Sequence, residues 1–315
     1  MDTDVLVAGE CLVDFIPGRP GPLADIGRFE RRAGGAPANV AVRLADLGPA
    51  PYLWTRLGSD PFADHLAATL SERGLPERFV VRDPDAKTTL AFVAHDDSAD
   101  REFSFRRERT ADTRFQPGTV SDGALSELSW VAVGGVPLST EPSRSAMVDL
   151  LERAREAGCT TVLDPNARPE LWDGDYAETL EAVLPLVDVL KATPADLAAA
   201  GIEGEPRELL EVTVEMGPHT VLLTLGVEGA VARATPDARW GPVRTDHDGF
   251  DVEVVDATGA GDAFTAGALR ALADGESLVE AIAFASGVAA ATTTAEGAMG
   301  AAVDRERVRE IRSTR

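Results

Sequence analysis

Short apolar runs alternate with amphipathic segments along most of the chain. The apolar runs predict strands over residues 5–9, 52–56, 130–134, 160–163, 187–191 and 221–225. Apolar positions at helical spacing predict helices over residues 39–46, 61–73, 141–157 and 209–216. Strands that alternate with helices in this way are typical of an α/β protein, with a mostly parallel sheet and helices on both faces. Ligands of such proteins bind beyond the carboxyl ends of the strands.

Two segments interrupt this alternation. Residues 87–95 and 101–107 carry a strand-like pattern on either side of the acidic turn 96–100, which predicts a β-hairpin. The glycine- and proline-rich segment 11–32 could add to the same small layer of strands. Such a β insertion is a natural lid over a binding site, although an ordinary surface hairpin explains the pattern equally well.

The segment 256–264 combines a small-residue turn with an acidic residue. It follows the alternating run 251–255, which predicts a strand, and it opens the alanine-rich segment 263–273, which predicts a helix. Gly259 and Gly261 let the backbone approach a ligand closely and adopt positive φ. Unpaired amide N–H groups and the helix dipole then favour an anion at this turn.

Asp262 lies in the first turn of that predicted helix. A carboxylate at this position often caps free amide groups. It also meets the needs of phosphoryl transfer, which requires a group that deprotonates an acceptor hydroxyl beside donors that neutralise the phosphoryl oxygens. The turn alone leaves both interpretations open.

Composition narrows the class of protein. The chain has 315 residues, of which 44% are hydrophobic, and no apolar run approaches the ~18 residues needed to cross a bilayer. The acidic start of the chain is unlike a signal peptide, so we expect a cytoplasmic protein. Cys11 and Cys159 are too few for a disulfide framework or a four-ligand zinc site, which is consistent with a reducing compartment.

The net charge of −23 argues against nucleic acid as a partner. Of the 30 basic residues only Lys87 and Lys191 are lysine. A large acidic excess keeps a protein soluble where salt screens its self-repulsion. With so little lysine the pattern resembles proteins of halophilic archaea, which concerns the surface and not the reaction.

Two further features are typical of sugar recognition. The glycine-rich turn 34–39 ends at Asn39, whose amide could bond a polyhydroxyl ligand, although paired glycines usually mark only a turn. Asp14 follows the first strand, where a carboxylate could accept two sugar hydroxyls or simply cap a loop.

Together these motifs resemble the ribokinase-like (PfkB) carbohydrate kinases nearly end to end. The blocks that match occur in the family's order at Gly9-Glu10, 13–14, 34–41, 57–62, 164–166, 224–229 and 256–264. Within the family, the blocks at 36–37, 101–103, 111–112, 141–146 and 164–172 look most like fructokinases. The resemblance implies a ribokinase-like three-layer α/β sandwich with a small β lid. It would be a single domain over residues 1–315, with the lid contributed by about 11–33 and 86–112.

The resemblance also implies roles for individual residues. Asp262 would be the catalytic base, and the backbone of Gly259, Ala260 and Gly261 would form the anion hole. The sugar would contact Asp14, Gly34, Gly35, Asn39, Arg107, Asn166 and Arg168. ATP would contact Lys191, Thr224, Gly226, Gly229, Ala285, Ser286 and Ala289. Magnesium would accompany the ATP, and a monovalent cation, plausibly potassium, would lie near Asp256 and Thr258.

Three positions depart from the family pattern. Asp196 stands where the family usually has a glutamate that helps to organise magnesium, which puts the placement of the metal in doubt. Arg106 precedes Arg107 where fructokinases often have an aromatic residue, and a second arginine favours an acidic sugar. Ser286 is followed by glycine where a larger polar residue is common, so contacts to the base would be looser.

These features predict an ATP-dependent sugar kinase, with fructokinase as the first expectation. The alternative within the class is a 2-keto-3-deoxygluconate kinase, whose acidic substrate Arg107 or Arg168 could bind. The alternative from another class is a catalytically silent sugar-binding regulatory protein, which has no need of Asp262. A dinucleotide dehydrogenase is disfavoured because no Gly-x-Gly-x-x-Gly follows the first strand. Lid hairpins of the family often pair between subunits, so the resemblance also predicts a homodimer through the lid.

Overall fold

The computed structural model describes residues 4–19, 21–95, 101–172, 175–300 and 302–313. Its strands are β1 (Val5–Ala8), β2 (Leu12–Pro17), β3 (Phe29–Gly34), β4 (Tyr52–Leu57), β5 (Val80–Arg82), β6 (Leu90–His95), β7 (Arg101–Arg106), β8 (Trp130–Gly134), β9 (Thr160–Asp164), β10 (Val189–Ala192), β11 (Thr220–Thr224), β12 (Ala230–Ala234) and β13 (Val243–His247). Its α-helices are α1 (Ala36–Leu47), α2 (Pro61–Glu72), α3 (Asp122–Leu125), α4 (Ser143–Glu156), α5 (Tyr176–Val183), α6 (Pro194–Ala198), α7 (Pro206–Glu215), α8 (Ala260–Ala273), α9 (Leu278–Thr293) and α10 (Arg305–Ser313).

The main sheet has the strand order β13-β12-β11-β10-β9-β8-β1-β4-β5. Its strands pair in parallel from β11 to β5, and β12 and β13 add an antiparallel edge. The central strands are buried along their whole length, as expected of a parallel sheet covered on both faces. The prediction of a mostly parallel sheet is therefore confirmed.

Two apolar layers cover the two faces of this sheet. In β1 the side chains of Val5 and Val7 pack with α1, α2, α8 and α9, whereas those of Leu6 and Ala8 pack with α4, α5 and α7. Successive residues of a strand point to opposite faces, so each central strand contributes to both layers. The result is the three-layer sandwich implied by the family resemblance.

A second, four-stranded sheet with the order β3-β2-β6-β7 lies beside this body. We name it the small sheet. It contains the predicted hairpin as β6 and β7, which pair antiparallel, while β2 pairs in parallel with β6 and antiparallel with β3. The acidic turn predicted at 96–100 lies outside the described residues. Phe15, Phe29 and Phe92 form an aromatic cluster on the small sheet, with Phe15 stacked on Phe92 at 4.9 Å between ring centroids.

One predicted strand is wrong, and three helices, α1, α7 and α8, begin earlier than predicted. The alternating run 251–255 forms no strand: the amide of Val255 donates to the backbone oxygen of Thr293 at 2.8 Å, at the end of α9, and Val254 and Val255 are more than half exposed. The helices α1 and α8 begin at Ala36 and Ala260, directly after Gly35 and Gly259 turn the chain.

Both cysteines are buried free thiols. In the described part of the chain, no helix is long and apolar enough to cross a membrane.

Candidate active site

A cleft of about 370 Å³ opens beyond the carboxyl ends of β1, β9 and β10. The start of α8, the start of α1 and two aromatic residues of β7, Phe103 and Phe105, line its walls. Of the residues predicted to form the site, the cleft brings together Asp14, Gly35, Asn39, Asn166, Arg168, Lys191, Asp196, Thr258, Gly259, Ala260, Gly261 and Asp262. Binding beyond the carboxyl ends of parallel strands is the arrangement expected of an open α/β sheet.

The turn before α8 has the geometry of an anion site. Gly259 is its N-cap residue and has φ +76, a left-handed conformation that favours glycine. A Cβ on Gly259 would also collide with Ala298, so a larger residue would displace the turn. The amide of Ala260 donates to the backbone oxygen of Ala257 at 3.3 Å. The next amides, those of Gly261 and Asp262, lie in the first turn of α8, where amides have no intrahelical partner, and both residues line the cleft at the positive end of the helix dipole.

Asp262 follows that turn and is held by Asn39. The Asn39 side-chain amide Nδ2 donates to Asp262 Oδ2 at 2.7 Å, which joins the start of α8 to the start of α1. Asp262 is half-buried, and desolvation of its carboxylate, reinforced by the nearby Asp164, raises its pKa to about 6. A base with this pKa is ionised at neutral pH and still accepts a proton readily.

A buried ion pair lies beneath the anion turn. Lys191 Nζ donates to Asp164 Oδ2 at 2.9 Å, and Thr265 Oγ1 donates to the same oxygen at 3.0 Å. Burial alone would lower the pKa of Lys191, but Asp164 and Asp196 outweigh burial and raise it, so the ammonium stays charged. Its Nζ is 3.2 Å from the position that a Cβ on Gly261 would take, which brings a fixed positive charge up to the turn.

Lys191 was predicted from the sequence as an ATP contact and lies in the cleft, but its described ion pair is with Asp164. Sequence reasoning gave Asp164 no role in the site. The signal was available, because Asp164 opens the Asp-Pro-Asn block that carries part of the family resemblance.

Glu10 is a second residue of the cleft that had no predicted role. It is 2% exposed, and its Oε1 accepts a hydrogen bond from the backbone amide of Ala36 at 3.1 Å. Burial raises the pKa of Glu10 to about 8, so its carboxyl group is protonated at neutral pH and can donate a hydrogen bond. Glu10 Oε2 and Asn39 Oδ1 are both buried and have no hydrogen-bond partner among the described residues. Two buried polar groups without partners are typical of a wall that a hydroxylated ligand completes.

Asp14 and Arg168 both line the cleft. Strand pairing brings Gly34 beside β2, where a Cβ on Gly34 would collide with the Asp14 carboxylate. This close approach explains why glycine stands at that position. Arg168 lies over the ring of Phe103 at 5.3 Å, and its Nη1 donates to the backbone oxygen of Ala167 at 2.8 Å.

Arg107 is not among the residues that line the cleft. Its Nε donates to Asp112 Oδ2 at 2.6 Å and its Nη1 to Ser139 Oγ at 2.7 Å, and its side chain is only 7% exposed. Asp112 also accepts hydrogen bonds from Thr89 and Thr110. Arg107 Nη2 also donates to the backbone oxygen of Val136, which lines the cleft, and its contact with a sugar stays a prediction.

Apart from Lys191, the residues predicted to contact ATP do not line this cleft. Thr224 ends β11, and Gly226 and Gly229 belong to the loop that follows it, in which Val227 is 95% exposed. Of the α9 residues, Ala289 is half-buried, whereas Ala285 is fully buried and packs against Gly267 of α8, and Ser286 is buried. The structure thus places Ala285 in the core, and its contact with adenine stays a prediction.

The predicted metal-binding residues already accept hydrogen bonds. Asp196 accepts from the Ala167 amide through Oδ1 and from the amide and hydroxyl of Thr193 through Oδ2, all at 2.7 Å. Asp256 accepts from the amide and hydroxyl of Thr258 and from the amide of Gly297. In the ranges that the structure covers, no group of three or more His, Cys, Asp or Glu side chains could hold a metal ion.

An anion turn, an adjacent carboxylate and a polar cleft on an α/β sandwich together define a phosphotransferase with an alcohol group as acceptor. Comparison with known proteins agrees. Residues 2–305 match the family model described as pfkB family carbohydrate kinase, and the chain belongs to this family.

The relatives and solved structures most similar to the chain include several proteins named fructokinase. The chain is 35% identical to fructokinase-1 of Oryza sativa subsp. japonica, over 94% of this chain and 93% of that protein. The crystal structure of fructokinase from Xylella fastidiosa with bound ATP superimposes with a TM-score of 0.85 and 30% identity, covering 98% of both chains. A double mutant of the Vibrio cholerae O395 fructokinase, bound to fructose, ADP and potassium ion, gives a TM-score of 0.82 and 28% identity, also covering 98% of both chains.

Proposed function

We propose that this protein is an ATP-dependent fructokinase that transfers a phosphoryl group to a hydroxyl of D-fructose. The observation that carries the proposal is the Asp262 carboxylate, fixed by Asn39 at the anion turn and facing the cleft. The names of the similar proteins support fructose as the acceptor. The unpartnered polar atoms of Glu10 and Asn39 support a ligand with several hydroxyl groups.

In the proposed reaction, Asp262 removes the proton from a sugar hydroxyl as its oxygen attacks the terminal phosphorus of ATP. The bond from that phosphorus to the oxygen bridging to the β-phosphate breaks, and ADP leaves with the bonding electrons. The amide groups after Gly259 donate to the phosphoryl oxygens, where negative charge must be stabilised. The charge of Lys191 beneath the turn reinforces them. No covalent intermediate with the enzyme forms.

Magnesium is proposed as the companion of ATP and would neutralise charge on its phosphates. Asp196 lies in the cleft, and both of its carboxylate oxygens already accept hydrogen bonds from the backbone. It fits magnesium only through bridging water molecules, which this ion usually retains.

A 2-keto-3-deoxygluconate kinase is the second candidate, because Arg168 lies in the cleft and an arginine can bind a substrate carboxylate. The two other candidate arginines weaken this alternative. Arg107 is engaged by Asp112 and Ser139, and Arg106 is not among the residues lining the cleft. Arg106 instead donates to Ser104 and lies 6.0 Å from the ring of Phe92.

A side-by-side assay tests the choice of substrate. We expect the purified protein, in high potassium chloride with ATP and magnesium, to phosphorylate D-fructose with a kcat/KM at least ~100-fold above that for 2-keto-3-deoxygluconate, a ratio that corresponds to about 2.7 kcal/mol. Phosphorus NMR of the product would identify the hydroxyl that is phosphorylated. A higher kcat/KM for the acidic sugar would reverse the assignment. Fructose binding by calorimetry without release of ADP would instead identify a silent sugar-binding regulatory protein.

The wider setting of the enzyme is also proposed. The small sheet would serve as the lid of a single kinase domain over residues 1–315, because its Phe103 and Phe105 line the cleft. A homodimer would form through this lid, as the family resemblance implies. The net charge of −23 and the scarcity of lysine support a halophilic, cytoplasmic enzyme.

A further inference from the structure

Arg32 extends from the small sheet to the loop that backs the anion turn. It lies on β3, and its Nη2 donates to Glu296 Oε2 at 2.7 Å. Its Nη1 is 4.0 Å from Asp256 Oδ2 and 2.8 Å from the position that a Cβ on Gly297 would take. The side chain is 26% exposed, and its Nη2 also donates to Glu30 Oε2 at 3.2 Å, so carboxylates at the protein surface hold the guanidinium beside this loop.

That loop supports the anion turn directly. Ala298 packs against Gly259, the residue with the left-handed conformation, and the amide of Gly297 donates to Asp256 Oδ2 at 2.9 Å. The other oxygen of Asp256 accepts from the amide of Thr258 at 2.9 Å and from its hydroxyl at 2.5 Å. Asp256 therefore ties the residues before the turn to the loop behind it.

A monovalent metal ion fits this place poorly. The family resemblance predicts such an ion near Asp256 and Thr258, where its charge would offset the Asp256 carboxylate. The Arg32 guanidinium already faces that carboxylate, and a second cation beside it would be repelled by a charge that cannot diffuse away. Three hydrogen bonds from Thr258 and Gly297 also use lone pairs that a metal ion would need.

We propose that the Arg32 guanidinium takes the place of the monovalent cation and holds the anion turn through Asp256 and Glu296. Arg32 is then a positioning residue, because it acts on the turn through Asp256 and the 296–298 loop. It also links the small sheet to the catalytic turn, since its backbone belongs to β3. The inference rests on the proposed kinase function only where turnover is measured. Cation binding tests it independently.

The test compares the unmodified protein with Arg32→Gln, Arg32→Lys and a control, Arg31→Gln. Arg31 is the exposed neighbour of Arg32 on the same strand, so the control removes an equal charge at the surface. Tm is measured in potassium nitrate and in choline nitrate at equal ionic strength. Binding of thallium(I), a spectroscopic substitute for potassium, is followed by the 205Tl NMR line width in nitrate salts.

We expect the unmodified protein, Arg31→Gln and Arg32→Lys to unfold at the same temperature in both salts and to leave the thallium line unchanged. In Arg32→Gln the vacated carboxylate should acquire a cation site, with a potassium-specific rise in Tm of about 2 °C or more and thallium broadening. Its turnover should become potassium-dependent, whereas that of the unmodified protein should not.

The unmodified protein alone can overturn the inference. If it broadens the thallium line, and Asp256→Asn abolishes that broadening, an ion occupies the site beside Arg32 and the guanidinium does not replace it. This result stands even if Arg32→Gln fails to fold. A protein that phosphorylates no sugar but shows the expected cation results would refute the proposed function and leave this inference intact.

Discussion

The two ends of the site differ in how firmly the protein holds their side chains. At the end that contains Asp262, hydrogen bonds and ion pairs fix the functional side chains, as in the bonds from Asn39 to Asp262 and from Lys191 to Asp164. At the predicted nucleotide end, the 226–229 loop exposes Val227 almost completely. The reacting end is preorganised, whereas the nucleotide end offers exposed apolar surface that a ligand could cover.

The two ends of the site also differ in how strongly their charges act on neighbouring groups. Charges at the reacting end are shielded from water, so each acts strongly on its neighbours and the pKa of Asp262 moves to about 6. At the nucleotide end, Val227 and Glu228 are both exposed, so the Glu228 charge is screened by water and acts weakly on its neighbours. Changes at the first end should therefore alter the rate of the chemical step, and changes at the second should alter the affinity for ATP.

The largest expected effect is that of Asp262→Asn. The amide cannot accept the proton, and general-base catalysis typically contributes ~10² to 10⁴ in rate. We expect kcat to fall by that factor, with the KM values for ATP and fructose within about threefold of the original. Steady-state kinetics would measure the loss.

Asp25→Asn is the matched control for this variant. Asp25 is an exposed aspartate between β2 and β3 and should tolerate the change without loss of rate. If Asp262→Asn turned over at a rate close to the original, Asp262 would be a helix cap and not the base. The end of the site that contains Asp262 would then not be the reacting end.

The pH dependence of kcat/KM should show a smaller effect than Asp262→Asn. Burial raises the pKa of Asp262, so its ionised form, the form able to act as a base, is lost as the pH falls through about 6. We expect kcat/KM for fructose to be highest near pH 7, between the pKa values of Asp262 and Glu10, and to fall about tenfold per pH unit well below pH 6. Rates are to be measured at constant ionic strength, because the surface charge makes the protein sensitive to salt. Activity unchanged down to pH 5 would contradict this assignment.

How far the sequence predicted the site depends on the distance between the interacting residues. Gly259, Gly261 and Asp262 are close neighbours along the chain, so their chemistry could be predicted from local spacing. The pairing of Lys191 with Asp164 joins residues 27 positions apart on adjacent strands, and no local pattern reveals it. The family resemblance placed both residues in the right blocks without showing that they meet.

Competition between segments explains other differences. The run 251–255 has the alternation of a strand, but the amide of Val255 donates to the backbone oxygen of Thr293 at the end of α9 and not to a strand. Arg107 is of a residue type that often contacts substrates, but its guanidinium pairs with the buried carboxylate of Asp112 instead. The three-layer sandwich was predictable because every central strand repeats the same buried pattern.

The smallest expected effect is that of Val227→Ser at the nucleotide end. If ATP covers part of this exposed side chain, the loss of apolar contact should cost on the order of 1 kcal/mol and raise the KM for ATP about fivefold, with kcat unchanged. Val212→Ser is the control. Val212 is 47% exposed on α7, and α7 packs on the face of the main sheet opposite to α8 and α9. A fall in kcat at constant KM would mean that the 226–229 loop acts on the chemical step, and the two ends would not be separate. An unchanged KM would show instead that the nucleotide does not cover Val227, and the apolar surface that receives it would have to lie nearer Ala289.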